Sequence, residues 1–180
     1  MAKNDNAHAL RIAESLRTYA GESCADEFAE LHPLSKSADI DKKFMWAQDV
    51  CRFLEEYFDE ETIVKIRKDC RCNDGSSIAK KLLKYWNTAD NTEQFIDLFN
   101  RKETFASLEY ITENKVRFSY PECYCACVKR VPGQLTKTWC YCTVGNAEAI
   151  FRAVFGESVT VTLIESIKSG AERCVLEVEW

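Results

Sequence analysis

Histidine is nearly missing from this chain, which holds only His8 and His32 in 180 residues. A Ser-His-Asp or Cys-His pair needs an imidazole beside its nucleophile. Both histidines precede residue 33, away in sequence from every cysteine group, so neither is expected to do catalytic work. Long apolar runs are absent too, and with no stretch of about 18 such residues no membrane-spanning helix is expected. Met1 to Leu10 is polar and carries no secretory signal pattern, and no Asn-x-Ser/Thr sequon occurs, so a reducing cytoplasm is the expected compartment. Positive charge is short as well: 24 lysines and arginines face 29 aspartates and glutamates, a net charge of −5, which argues against a nucleic-acid partner. No HExxH, GxGxxG or Walker A pattern is present.

What is abundant is cysteine, with 10 residues. In a reducing compartment such a cluster is more often metal-binding or redox-active than disulfide-bonded. The bland alternative is that cysteine acts as a small buried hydrophobe, and this is the reading for Cys24 and Cys51 in helical stretches.

The first part of the chain reads as helices. Ala7 to Ala20 carries an amphipathic stripe ending at Gly21, and Ser23 can cap a second helix reaching Leu31. Asp39 or Asp41 caps a third, Asp59 a fourth, Ser77 a fifth from Ile78 to Trp86, and an Asp90-x-x-Glu93 box a sixth. From about Ser107 the period becomes two. Ser107 to Thr112 and Lys115 to Tyr120 form a hairpin about Glu113-Asn114, and Cys123 to Arg130 with Lys137 to Val144 form a second about Val131-Pro-Gly-Gln. Asn146 opens a short helix closed by Gly156, and strands follow at Ser158 to Ile167 and Arg173 to Trp180. The expected fold is α+β: a helical region at 1–104, then at 105–180 a cysteine-rich, mostly antiparallel sheet with the helices packed against it.

With Pro132 and Gly133 central to the second hairpin, Cys125 faces Cys140 and Cys123 faces Cys142 on one side of the sheet. A slip of one residue would separate them. Such a patch suits zinc, with an iron–sulfur cluster as the alternative. Alternate strand residues stand about 6.6 Å apart, wider than one zinc needs, so Cys70, Cys72, Cys127 and Cys174 are further ligand candidates. Tyr124, Trp139 and Tyr141 beside the thiols, and Glu165 on the side of Val161 and Leu163, are candidate ligand-binding residues.

The stretch Tyr120 to Trp180, with its cysteine-rich hairpin, Trp139-Cys-Tyr-Cys142-Thr-Val-Gly145, Phe155-Gly156 and Cys174-Val-Leu-Glu-Val, resembles the C-terminal part of 4-vinyl reductase-like and L-2-amino-thiazoline-4-carboxylic acid hydrolase-like domains, in a cysteine-rich bacterial branch. The resemblance implies an antiparallel sheet, a small-molecule pocket, and a zinc held by cysteines with a glutamate contributing. Cys174 and Glu165 match that pattern, while a further cysteine expected near Ser166 to Lys168 is missing. The functional expectation is a metal-binding, small-molecule-binding domain with a sensor or accessory role. The alternatives are a metal- or thiolate-dependent hydrolase or reductase, or a thiol redox module.

Overall fold

A computed structural model describes residues 4–180. Six helices precede the first strand, and the architecture is α+β as expected. Helix α1 (Ala7–Ala20) starts where the Asn6 side chain accepts from the His8 amide and stops at Gly21, whose φ of 91° lies in the region that favours glycine. The same glycine, rather than Ser23, opens α2 (Glu22–Leu31). Asp39 caps α3 (Ile40–Tyr57) through the Lys42 amide at 2.8 Å, and Asp59 caps α4 (Glu60–Asp69) through the Thr62 amide at 2.8 Å.

Two compact units divide the chain: Met1–Cys72 with Tyr124–Cys142, and Asn73–Cys123 with Thr143–Trp180. In the first, Ser15 donates to the Ile66 carbonyl at 2.8 Å and ties α1 to α4. Phe28, Trp46 and Phe53 pack edge-on or tilted around this helical core.

In the second unit, α5 (Ser76–Trp86) begins at Gly75, not Ser77. A Cβ on that glycine would fall 2.5 Å from Ile150 Cγ1. The box that starts α6 (Thr92–Lys102) lies one residue beyond its expected place: Asn91 accepts from the Gln94 amide, and the Gln94 side chain accepts from the Asp90 amide. Strands β1 (Ser107–Thr112) and β2 (Lys115–Tyr120) form the expected hairpin. With β3 (Thr160–Glu165) and β4 (Cys174–Glu179) they make an antiparallel sheet in the order β1-β2-β4-β3. Phe99 and Phe151 pack edge-on to Phe118 on one face, and Trp180 stacks on Phe155 at 3.8 Å. The Asn100 side chain both donates to the Leu108 carbonyl and accepts from the Leu108 amide, each at 2.8 Å, fastening α6 to β1.

The cysteine-rich hairpin does not form. Amides of Val128 and Lys129 both donate to the Cys125 carbonyl, winding that stretch into turns. Gly133 is not the centre of a strand turn; it gives room to Phe44, whose Cζ would lie 2.6 Å from a Cβ there. Thr138 and Trp139 are buried as consecutive residues, which a half-buried strand forbids. The segment instead makes a helical turn, α7 (Lys137–Cys140), and α8 (Cys142–Phe155) starts four residues before the expected Asn146. The facing ladder of Cys123, Cys125, Cys140 and Cys142 is therefore lost.

Candidate functional site

The first unit gathers its chemistry around Arg67 on α4. This side chain is 1% exposed. Its Nε donates to the Thr138 carbonyl at 3.3 Å and its Nη2 to the Trp139 carbonyl at 2.7 Å, while its guanidinium carbon sits 4.6 Å from the centre of the Trp139 ring. The helical turn α7 thus presents two carbonyls and an aromatic face to one buried cation. The titratable groups that act on Arg67 most strongly are the thiols of Cys142, Cys70, Cys51 and Cys125. Any of these counters its charge when ionised.

Burial keeps most of those thiols from ionising. It pushes Cys70 and Cys51 up despite the pull of Arg67, and raises Cys142 further still. Burial first, and then the neighbouring Cys125, raises Cys127 to about 12. A thiol protonated at neutral pH is a poor nucleophile and a poor metal ligand. Arg67 is consequently met by carbonyl dipoles and a ring face rather than by a full negative charge.

α1 brings a second layer. His8 Nδ1 accepts from Arg11 Nη2 at 3.3 Å, and both lie near Cys72: its sulfur is 3.8 Å from Arg11 Nη2 and 3.9 Å from His8 Nδ1. The His8 ring lies 6.2 Å from that of Trp139. Burial, then Arg11, Arg67 and Lys43, lower His8 from 6.5 to about 4, so its imidazole is neutral at pH 7. Cys72 is exposed, yet desolvation and Cys125 push its thiol up while Arg11 pulls it down. Two N–H groups in this cluster have no acceptor: Arg11 Nε and Trp139 Nε1 are both buried without a hydrogen-bond partner among the described residues. Each such orphan costs about 1–3 kcal/mol relative to a satisfied one. Two carboxylates reach the cluster's edge, Asp69 through Cys70 and Glu55 through Cys51, and both are exposed.

The candidates named from sequence are thus redistributed. Cys70, Cys72, Cys125, Cys127, Cys140 and Cys142 belong to the first unit with Tyr124, Trp139 and Tyr141, whereas Cys123, Cys174 and Glu165 belong to the second. Trp139 stands in the Arg67 cluster. Tyr124 is 43% exposed, and Tyr141 donates to Glu60 at 2.5 Å, its phenol pushed up to about 12 by burial and then by that carboxylate. Cys174 accepts from the Ile167 amide at 3.5 Å. Glu165 lies past an irregularity in the register between Leu163 and Glu165, which breaks the alternation with Val161 and Leu163 and leaves it exposed. The zinc and iron–sulfur expectations are corrected here: among the described residues no group of three or more His, Cys, Asp or Glu side chains could hold a metal ion. Arg11, Arg67 and His8 were not legible as site residues, because no local pattern brings His8 to Cys72 across 64 positions.

An open depression of about 490 Å³ in the second unit is lined by Asn91, Glu93, Gln94, Ile96, Asp97 and Tyr110. It includes none of the expected site residues. Among the described residues no helix is long and apolar enough to cross a membrane.

A family model described as a family of unknown function, DUF6144, matches residues 1–179. No curated protein matches the chain. Similar solved structures include the H-NOX domain of Shewanella oneidensis in its Fe(II)CO state, at 13% identity and a TM-score of 0.45, covering 97% of each chain. An H-NOX protein from S. oneidensis in its Fe(II)NO state has 13% identity and a TM-score of 0.43, covering 97% of this chain and 98% of that one. Likenesses this distant carry no inference about ligand or activity. The family match corrects the expected resemblance: the model that matches residues 1–179 is DUF6144, not a 4-vinyl reductase-like or amino-thiazoline hydrolase-like domain.

Proposed function

Because the chain belongs to DUF6144, a family whose description assigns no chemistry, its function has to come from its own residues, and we propose that it is a small-molecule-binding module with a sensor or accessory role. Its ligand sits at the Arg67, Trp139 and His8 cluster of the first unit. One observation carries this reading: Trp139, 1% exposed, keeps a buried indole N–H without an acceptor among the described residues. An orphan donor in a polar cluster is a standing demand for an acceptor that a ligand can meet. Half-buried His8 and Arg11 and exposed Cys72 give the cluster an accessible rim. The test is a thermal-shift screen of small metabolites against the wild type and Trp139→Phe. A ligand at a hundred times its dissociation constant stabilises by about 2.7 kcal/mol, and the variant should lose most of that shift. Equal shifts in both proteins would move the site elsewhere.

A second reading, a thiol redox module, is favoured by one contact: the exposed Cys72 thiol lies against Arg11 and His8. Forming one bridge removes two electrons and two protons from a pair of thiols to the oxidant. Free-thiol titration before and after mild peroxide should then fall by two, and by none in Cys72→Ser. An unchanged count in the wild type removes this reading.

A further inference from the structure

The ligand-binding reading leaves the chemical class of the ligand open, and the charge around the site narrows it. From α4 comes the Arg67 guanidinium, 1% exposed and met among the described residues by two carbonyls, the Trp139 ring and thiols. From α1 come Arg11, whose Nε is buried without an acceptor, and a neutral His8. From α3 comes Lys43, which acts on both His8 and Cys127. From α7 comes the unmatched indole N–H of Trp139. Against these three cations stand two exposed carboxylates, Asp69 acting through Cys70 and Glu55 through Cys51, which leaves the cluster with a cation in excess.

We infer that this site takes a small oxyanion, a carboxylate or a phosphate, accepting from Arg11 and Trp139 beside the Arg67 charge.

Three features agree on that class. Orphan donors call for an acceptor, a cation excess in a desolvated place calls for negative charge, and guanidinium groups match the geometry of carboxylate and phosphate oxygens. A neutral ligand would satisfy the first feature alone. An organic cation would worsen the second. The neutral thiols add a soft, weakly polar wall that suits the apolar body of a small carboxylate.

This inference rests on the ligand-binding reading, and titration calorimetry on the full chain separates the two. The probes are benzoate and acetate, inorganic phosphate, and the neutral counterparts benzamide and acetamide at millimolar concentration, with ionic strength held constant. Benzoate, acetate or phosphate should bind while the amides do not. Whichever of the carboxylates and phosphate binds identifies the oxyanion source. Arg11→Gln, a half-buried position on the rim, should weaken that binding about tenfold or more, and Trp139→Phe by several-fold. Circular dichroism of both variants establishes that they fold; should Trp139→Phe fail to fold, Arg11→Gln carries the test alone. Amides binding as tightly as the anions would overturn the oxyanion class and leave the ligand-binding reading standing. Anion binding untouched by both variants would place any anion elsewhere and overturn the inference. No binding by any probe would overturn both.

Discussion

Arg67 in the first unit and Glu103 in the second are buried charges of opposite sign, and the two are treated differently. In the second unit Glu103, 9% exposed, accepts from Lys81 at 2.8 Å and from the Tyr85 hydroxyl at 2.7 Å, so its charge is answered within its own unit. In the first, the contacts that answer Arg67 among the described residues are dipoles, a ring face and thiols, most of which burial pushes up. A fully answered charge braces a fold. A charge left over, next to two unmatched N–H groups, is the arrangement on which the proposed oxyanion site rests.

Replacing the left-over charge is the severest way to break that contrast. Arg67→Met takes its donors from the Thr138 and Trp139 carbonyls, of which the second keeps the Cys142 thiol, and should cost about 2–4 kcal/mol in urea unfolding. A cost below about 1 kcal/mol would mean that the fold does not depend on the Arg67 charge.

The next effect is one of pH. His8 titrates near 6.5 when unfolded and near 4 when folded, so the unfolded chain binds the extra proton first as pH falls. The stability owed to the neutral ring is complete above pH 6.5 and drains away toward pH 4, by roughly 3 kcal/mol at the limit. Unfolding midpoints measured across that window should fall steeply in the wild type and much less in His8→Gln. A slope that survives the substitution belongs to other groups.

Glu103 gives a smaller response in the opposite unit. Burial raises its carboxyl, but the hydrogen bonds from Lys81 and Tyr85 outweigh it and the net shift is downward from 4.5. Its stabilisation is present above pH 4.5 and lost as pH falls through the folded value. Glu103→Gln should cost about 1–2 kcal/mol at pH 7, trimmed by solvent around half-exposed Lys81, and an unchanged denaturation midpoint would mean that the answered charge contributes nothing.

The smallest effect is expected where no buried charge is involved. Asn91→Ala removes the cap of α6 and should lower stability by about 1 kcal/mol, seen as a drop of a few degrees in Tm. A drop as large as that of Glu103→Gln would show that a surface cap matters as much as the buried pair.

What was legible in the sequence was local. The aspartates that start α3 and α4, the bounds of α1, and the β1/β2 hairpin all follow from capping chemistry and periodicity within a few residues. Capping at α2, α5 and α6 was misplaced by one or two positions because Gly21, Gly75 and Asn91 took the role. The cysteine segment failed for a different reason. Alternating Cys residues imitate a strand, but the backbone there is decided by Gly133 meeting Phe44 and by Trp139 meeting Arg67, partners 89 and 72 positions away. Of the site, only Trp139 and the thiols carried a signal. The arginines and His8 become a cluster only once α1 and α4 lie side by side.

The Asn100 side chain has a consequence for how molecules of this protein behave together. β1 stands at the margin of its sheet, where spare backbone groups invite another chain to pair and extend the sheet. By occupying both the amide and the carbonyl of Leu108, Asn100 closes that rung of the ladder with a side chain, so a neighbouring chain arriving at this edge finds nothing there to grip. One amide thereby takes a pairing position out of that edge.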